Sequence, residues 1–280
     1  MKIGMVLEGG GMRGLYTAGV LDEMLEEKIK VNGIIGVSAG ALFGVNYASN
    51  QKGRSLRYNK KYINDPRYMS FRSLITTGNY VNKKFAYYEL PLKLDVFDEE
   101  AFSKSKIDFY ATVTNLETGE PEYPKIINAT IQLEELRASS SLPFLSKIVK
   151  INDKKYLDGG ISDAIPFKKC LEMGYDKVIV IATRPLDYRK QKTNRIIPKL
   201  FYHRYPKFVE AINTRYQRYN DCLEEMLKLE KEEKIFVIRP SKKVDIKRLE
   251  KNSQKLEEIY NLGKNDFKKI NKDLQRYLKK

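Results

Sequence analysis

The run Gly36-Val37-Ser38-Ala39-Gly40 sets a serine between small residues where a short apolar segment gives way to a helical one. A G-x-S-x-G run in a sharp strand-to-helix turn presents the Ser38 hydroxyl as a nucleophile, because bulkier neighbours would clash across the strained turn. The Ala39 backbone N–H then faces the incoming carbonyl, and the helix N-terminus favours the negative charge that develops on it. Just upstream, Gly9-Gly10-Gly11-Met12-Arg13-Gly14 follows another apolar segment, and its backbone N–H groups can converge on the same oxygen. Losing one such oxyanion donor typically costs about 10²–10³ in rate, so this loop is a major catalytic element. Arg13 braces the loop or adds positive potential.

A nucleophilic serine needs a base. The chain has one histidine, His203, in the basic aromatic stretch LFYHRYPKF, with no strand-end context, so a Ser-His triad is poorly supported. The better candidate is Asp158 in Tyr156-Leu157-Asp158-Gly159-Gly160, which ends an apolar segment with two glycines behind it that allow close backbone approach. A free Asp, with a pKa of about 3.9, is a weak base, so it must be buried or held against the serine hydroxyl.

Residues 9–14 also satisfy G-x-G-x-x-G, the dinucleotide fingerprint. That reading requires an acidic residue at the end of the second strand, and here the second strand ends in Gly36-Val37-Ser38. A phosphate loop of the Walker type fails too, since no Gly-Lys-Ser/Thr follows.

The elements that position these residues repeat as strand, tight turn, helix. IGMVL (3–7) reads as a buried strand and 15–28 as a helix; 34–37 reads as a second strand leading into the helix ALFGVNYA. Two such units in succession imply a parallel sheet. Residues 51–100 are rich in Lys, Arg and aromatics with weak periodicity and read as a cap-like insertion, whose aromatics form a small core of their own rather than a lid. Strand signals return at 107–114, and a helix follows at 131–138. A hairpin ends at Asp158, and KVIVIAT gives a further strand at 177–183. Beyond it come a long helix over 205–232, the strand IFVIRP and a charged helix from 253.

The 280 residues permit one large α/β domain, and 42% hydrophobic with 31% charged residues is a globular composition. No stretch reaches the ~20 apolar residues of a membrane span, and the start, MKIGMVLEGGG, lacks a signal-peptide core. Cys170 and Cys222 lack metal or disulfide spacing, which fits a reducing cytoplasm. A formal charge of +16 attracts polyanions, either nucleic acid or an anionic bilayer face. No nucleic-acid-binding motif accompanies it, so no nucleic acid partner is expected. Residues 184–207 hold eight Lys or Arg against one Asp, interleaved with Tyr188, Phe201, Tyr202 and Tyr205, a composition suited to peripheral contact with anionic headgroups at the inner membrane face.

The order GGGMRG, GVSAG, DGG, with Ala138-Ser139-Ser140-Ser141-Leu142-Pro143-Phe144 between the last two and Pro166 after them, resembles the patatin-like phospholipase family over residues 1–185, in the manner of its bacterial members. The resemblance implies a three-layer α/β/α sandwich with a mostly parallel sheet, a Ser38–Asp158 dyad, and oxyanion donors at Gly10, Gly11 and Met12. It implies supporting roles for Gly9, Gly14, Gly36, Gly40, Gly159 and Gly160, and no metal or organic cofactor. D-G-G stands where the family often has D-G-A. Residues 186–280 are then a basic, mainly helical extension packed on the core. The expected activity is lipolytic ester hydrolysis of the phospholipase A or lysophospholipase type through an acyl-enzyme. The alternatives are an esterase or thioesterase acting on soluble substrates, and a non-catalytic basic membrane-surface regulator.

Overall fold

The computed structural model describes residues 1–243 and 245–280. Its centre is a sheet whose main path runs β6 (Val149–Ile151), β7 (Lys154–Asp158), β3 (Asp108–Asn115), β2 (Gly33–Val37), β1 (Ile3–Leu7), β8 (Lys177–Ile181) and β9 (Ile235–Ile238). The five strands from β3 to β9 are parallel; β7 runs antiparallel to β3 and β6 to β7, as the hairpin required. Two-residue strands β4 (Pro121–Glu122) and β5 (Lys125–Ile126) pair antiparallel to β3.

The central strands read as continuous apolar runs because both their faces are covered. Side chains alternate across the sheet with period two. Met5 and Leu7 enter one core with Ile34, Ile179 and Ile181, while Val6 enters the other with Ile35, Val178 and Val180. The first core is roofed by α1 (Leu15–Glu26), α2 (Ala39–Ala48) and α10 (Ser253–Lys279), the second by α7 (Phe167–Glu172) and α9 (Pro206–Lys231). This is a mixed, mostly parallel sheet between two helical layers. At about 1.5–3 kcal/mol for each fully buried large apolar side chain, these two cores dominate the favourable energy of folding.

The insertion at 51–100 is helical: α3 (Arg54–Tyr62), α4 (Phe71–Thr77), a π-helical stretch over Lys84–Leu94, and α5 (Glu99–Lys104). Tyr58, Tyr62, Tyr68, Tyr80 and Phe85 are buried, but they merge with the main core rather than forming a separate one. Arg54 and Arg57 both bridge to the carboxylate of Asp95, at 3.2 and 2.8 Å, and so tie the two ends of the insertion together. α6 (Leu133–Ser140) follows β5, and α8 (Ile196–Tyr202) precedes α9. The chain beyond residue 185 is part of the frame: β9 pairs with β8 in parallel, and α10 lies along α1. No helix of the described residues is long and apolar enough to cross a membrane.

Candidate active site

In open α/β sheets ligands sit beyond the carboxyl ends of the parallel strands. Here Glu8 and the glycine loop follow β1, Ser38 follows β2, and Thr183 and Arg184 follow β8, and all of them line one cavity. Register brings Asp158 to the same place. Val37 pairs with Thr112 of β3, and the next β3 residue, Val113, pairs with Asp158, so Ser38 and Asp158 arrive from strands flanking β3, roughly 10 Å apart as two strand spacings. Both side chains line the cavity.

Ser38 has φ 54° and ψ −122°, a conformation that a residue with a Cβ adopts only when its surroundings enforce it. Its N–H donates to the buried hydroxyl of Ser139 at 2.9 Å. Gly36 and Gly40 give the turn room: a Cβ on Gly40 would overlap the Leu7 carbonyl, and one on Gly36 the backbone of Ala41. Gly9 passes so close behind that its added Cβ would lie 2.9 Å from the Ser38 Cβ.

Asp158 is 2% exposed. Its Oδ1 accepts the Gly160 N–H at 2.8 Å, and its own N–H donates to the Ser141 carbonyl at 2.9 Å. Its Oδ2 is buried and accepts no hydrogen bond among the described residues, from Ser38 or any other group. A buried carboxylate oxygen left open in a cavity is an unused acceptor of the kind a general base requires. Gly159 lies directly against the backbone of Thr112.

In the glycine loop, Gly11 takes φ +58° and Gly14 packs beside Ala39 and Phe43. No hydrogen bond from the N–H of Gly10, Gly11 or Ala39 is found among the described residues, which leaves three donors at the mouth of the turn. The expectation of a further donor at Met12 is corrected: its N–H donates to the Arg248 carbonyl at 3.0 Å. Arg13 is buried in the cavity wall, and burial together with repulsion from Arg184 and Arg248 holds its guanidinium down at about 10.

His203 is exposed at the end of α8 and does not line the cavity. Cys170 and Cys222 are free thiols that burial pushes up to about 12, so neither offers a thiolate. Among the described residues no group of three or more His, Cys, Asp or Glu could hold a metal ion.

Sequence reasoning missed several wall residues. Glu8 accepts from Thr183 N–H at 2.6 Å and from Tyr219 hydroxyl at 2.7 Å, joining β1, β8 and α9 behind the loop. Arg184, Lys190, Arg215 and Arg248 also reach the cavity. Glu8, directly after β1, and Thr183, two residues past β8, carried a usable signal; Arg184 and Lys190 stood out only as part of a basic stretch, and Arg215 and Arg248 carried none.

The patatin-like phospholipase family description matches residues 5–171. The chain belongs to the patatin-like phospholipase family. Membership places it among lipolytic hydrolases with a mostly parallel α/β fold. A second description, a domain of unknown function (DUF6363), matches residues 205–279. Among relatives, the uncharacterized protein YjjU of Escherichia coli is 30% identical over 273 residues, 94% of this chain and 75% of that protein. Lysophospholipase nte1 of Aspergillus oryzae is 24% identical over 66% of this chain and 12% of its own length. Lysophospholipase NTE1 of Meyerozyma guilliermondii is 26% identical over 67% and 13%. The patatin-like chain thus spans about an eighth of those two lysophospholipases. VipD of Legionella pneumophila aligns with TM-score 0.39 and 14% identity over 95% of this chain and 67% of that one.

Proposed function

We propose that this chain is a serine acyl hydrolase acting on lipid esters, of the phospholipase A or lysophospholipase type. The observation that carries the reading is the convergence in one cavity of Ser38, strained at φ 54°, and Asp158, whose buried Oδ2 is an open acceptor. Ser38 Oγ attacks the ester carbonyl while Asp158 takes its proton, and the N–H groups of Gly10, Gly11 and Ala39 receive the oxyanion. Collapse breaks the bond to the leaving alcohol, which takes the proton from Asp158. Water, deprotonated by Asp158, then attacks the acyl-enzyme; the released proton returns to Ser38 as the carboxylic acid departs.

An apolar cavity lined by Val45, Leu90, Pro91, Phe97, Leu133 and Leu136 shares Leu42, Tyr58, Tyr68, Val81 and Tyr87 with the catalytic cavity. A mostly apolar cavity walled by the insertion and sharing these residues with the catalytic one supports a fatty acyl chain. The named lysophospholipase activity of the fungal relatives agrees with it. The assay is wild type, Ser38→Ala and Asp158→Asn on lysophospholipids, diacyl phospholipids, triglyceride and short soluble esters or thioesters, with circular dichroism for folding. Activity in wild type alone supports the dyad; activity retained in a folded variant removes that residue's role, and turnover of soluble esters only removes the lipid assignment.

An exposed apolar and basic patch favours a peripheral seat on an anionic membrane surface. Ile196, Leu200 and Phe201 of α8 are 75, 72 and 61% exposed, Phe201 stacks edge-on with half-exposed Phe144, and Arg195, Lys199 and Arg204 are close in sequence. Phe144 lies two residues from Leu142 of the cavity wall. Flotation with anionic and zwitterionic vesicles tests this: binding that ignores lipid charge and salt rules it out.

A further inference from the structure

The cavity that holds Ser38 and Asp158 is also lined by Arg13, Arg184, Lys190, Arg215 and Arg248, five basic side chains against two carboxylates. None of the five forms an ion pair among the described residues. One of the carboxylates, Glu8, is already occupied by Thr183 and Tyr219. The other is Asp158. These groups are held in place by contacts that involve no carboxylate: Lys190 Nζ lies 3.9 Å from the centre of the Tyr219 ring, the Arg184 guanidinium 4.2 Å from that of Tyr188, and Arg215 donates through Nε to the Gly160 carbonyl at 2.5 Å. Arg13 Nε is buried without a hydrogen-bond partner.

Uncancelled like charges gathered in a partly dry cavity repel one another and cost desolvation. Repulsion by Arg215 and Arg248, added to the larger effect of burial, depresses the Lys190 ammonium to about 6. Burial and Arg248 likewise lower Arg215. An anion bound among these groups would relieve both costs. Guanidinium forks match phosphate oxygens in geometry as well as charge, and four of the five residues are arginines.

Resting on the acyl hydrolase reading above, we propose that Arg13, Arg184, Lys190, Arg215 and Arg248 form a subsite for a phosphate-bearing anion, and that the preferred substrate is an acyl ester with a phosphate a few bonds from the scissile carbonyl. The placement fits: Arg215 holds the carbonyl two residues after Asp158, Arg248 holds Met12 in the glycine loop, and none of the five lines the apolar cavity. Arg215 and Arg248 both belong to the region matched by the domain of unknown function. That region thus supplies two of the five contacts of the proposed subsite.

The test compares lysophosphatidate with monoacylglycerol of the same acyl chain in the same detergent micelles, a pair that differs by the phosphate alone. Wild type, Arg248→Gln and Arg184→Gln are assayed. Each substitution is expected to cut the ratio of kcat/KM for the phosphorylated over the uncharged lipid by about 10-fold or more, the size of one charge-assisted hydrogen bond. A role in oxyanion stabilisation or in folding alone would depress both lipids together and leave the ratio in place. In parallel, the Ser38→Ala protein is melted with inorganic phosphate or glycerol phosphate, and again with Arg248→Gln added. Stabilisation by phosphate that Arg248→Gln abolishes, with the lipid ratio unmoved, assigns the subsite to free phosphate and overturns the headgroup half of the proposal. An unmoved ratio with no stabilisation overturns it entirely. Wild type that cleaves neither lipid, yet is stabilised through Arg248, overturns the hydrolase reading and keeps the anion site.

Discussion

The hydroxyl oxygen of Ser139, at the end of α6, accepts the backbone N–H of Ser38 at 2.9 Å, and two residues later the carbonyl of Ser141 accepts the N–H of Asp158 at 2.9 Å. One short segment therefore braces both members of the proposed dyad. Ser139 is fully buried, so Ser139→Ala leaves the Ser38 N–H without a partner, at about 1–3 kcal/mol. Because displacement of a reacting group by about 1 Å can cost 10²-fold, kcat is expected to fall by about 10–100-fold with KM little changed. A melting curve and initial rates check this; an unchanged kcat in a destabilised protein would confine Ser139 to folding.

Glu134 joins the insertion to α6, accepting from Arg137 at 2.6 Å, Lys83 at 3.0 Å and Tyr88 at 3.0 Å. Burial alone would raise its carboxyl, but these partners outweigh it and bring it down from 4.5 to about 2. Its folded pKa is thus below its unfolded one, so the stabilisation is complete above 4.5 and disappears as pH falls through about 2. Glu134→Gln should destabilise the protein at neutral pH, and urea titrations from pH 7 downward should show the gap closing below pH 4.5. A gap that stays constant to the acid limit would contradict the assignment.

Gly19 of α1 and Gly263 of α10 let the two helices touch backbone to backbone. A Cβ on Gly19 would press into the Tyr260 carbonyl, and one on Gly263 into the Tyr16 carbonyl. Alanine gains about 1 kcal/mol of helix propensity. Overpacking, at about 1–3 kcal/mol, is expected to exceed that gain, so either Gly→Ala variant should melt a few degrees lower. A higher melting temperature would mean that the helices separate at little cost.

Lys190 faces Arg215 and Tyr219 of α9, Glu8 after β1, Asp158 at the end of β7, and Arg248. Held at about 6, it is mostly neutral at pH 7.5 in the empty site, and a bound phosphate raises it. Phosphate binding should therefore take up a proton, so affinity weakens as pH climbs above 6, and the calorimetric heat should depend on the ionisation enthalpy of the buffer. In Lys190→Met that buffer dependence should shrink.

The two members of the proposed dyad stand out in the sequence because their signals are local. Ser38 and Asp158 each sit in a strand end bounded by glycines, and the parallel arrangement of strands 3–7 and 34–37 follows from repeated strand–turn–helix order. The grouping of the basic residues was not legible, since Arg184, Lys190, Arg215 and Arg248 are spread over 65 residues and meet only because α9 folds back under the sheet edge made by β8 and β9. Met12 failed as a donor for the same reason: its partner, the Arg248 carbonyl, is remote in sequence. In the insertion, the π-helical turn over Lys84–Leu94 breaks the 3.6-residue period by which helices are read, so its aromatics looked unpatterned.

The hydrogen bond from Met12 to Arg248 has a temporal side. Ser38 and Asp158 are both polymerised well before the residue whose carbonyl fixes the glycine loop, and α10, which seals α1, comes later still. At about 5–20 residues per second, a growing chain carries its nucleophile and base for several seconds before that clamp exists. The loop proposed to receive the oxyanion therefore takes its final shape only once residue 248 has been made, later than both members of the proposed dyad.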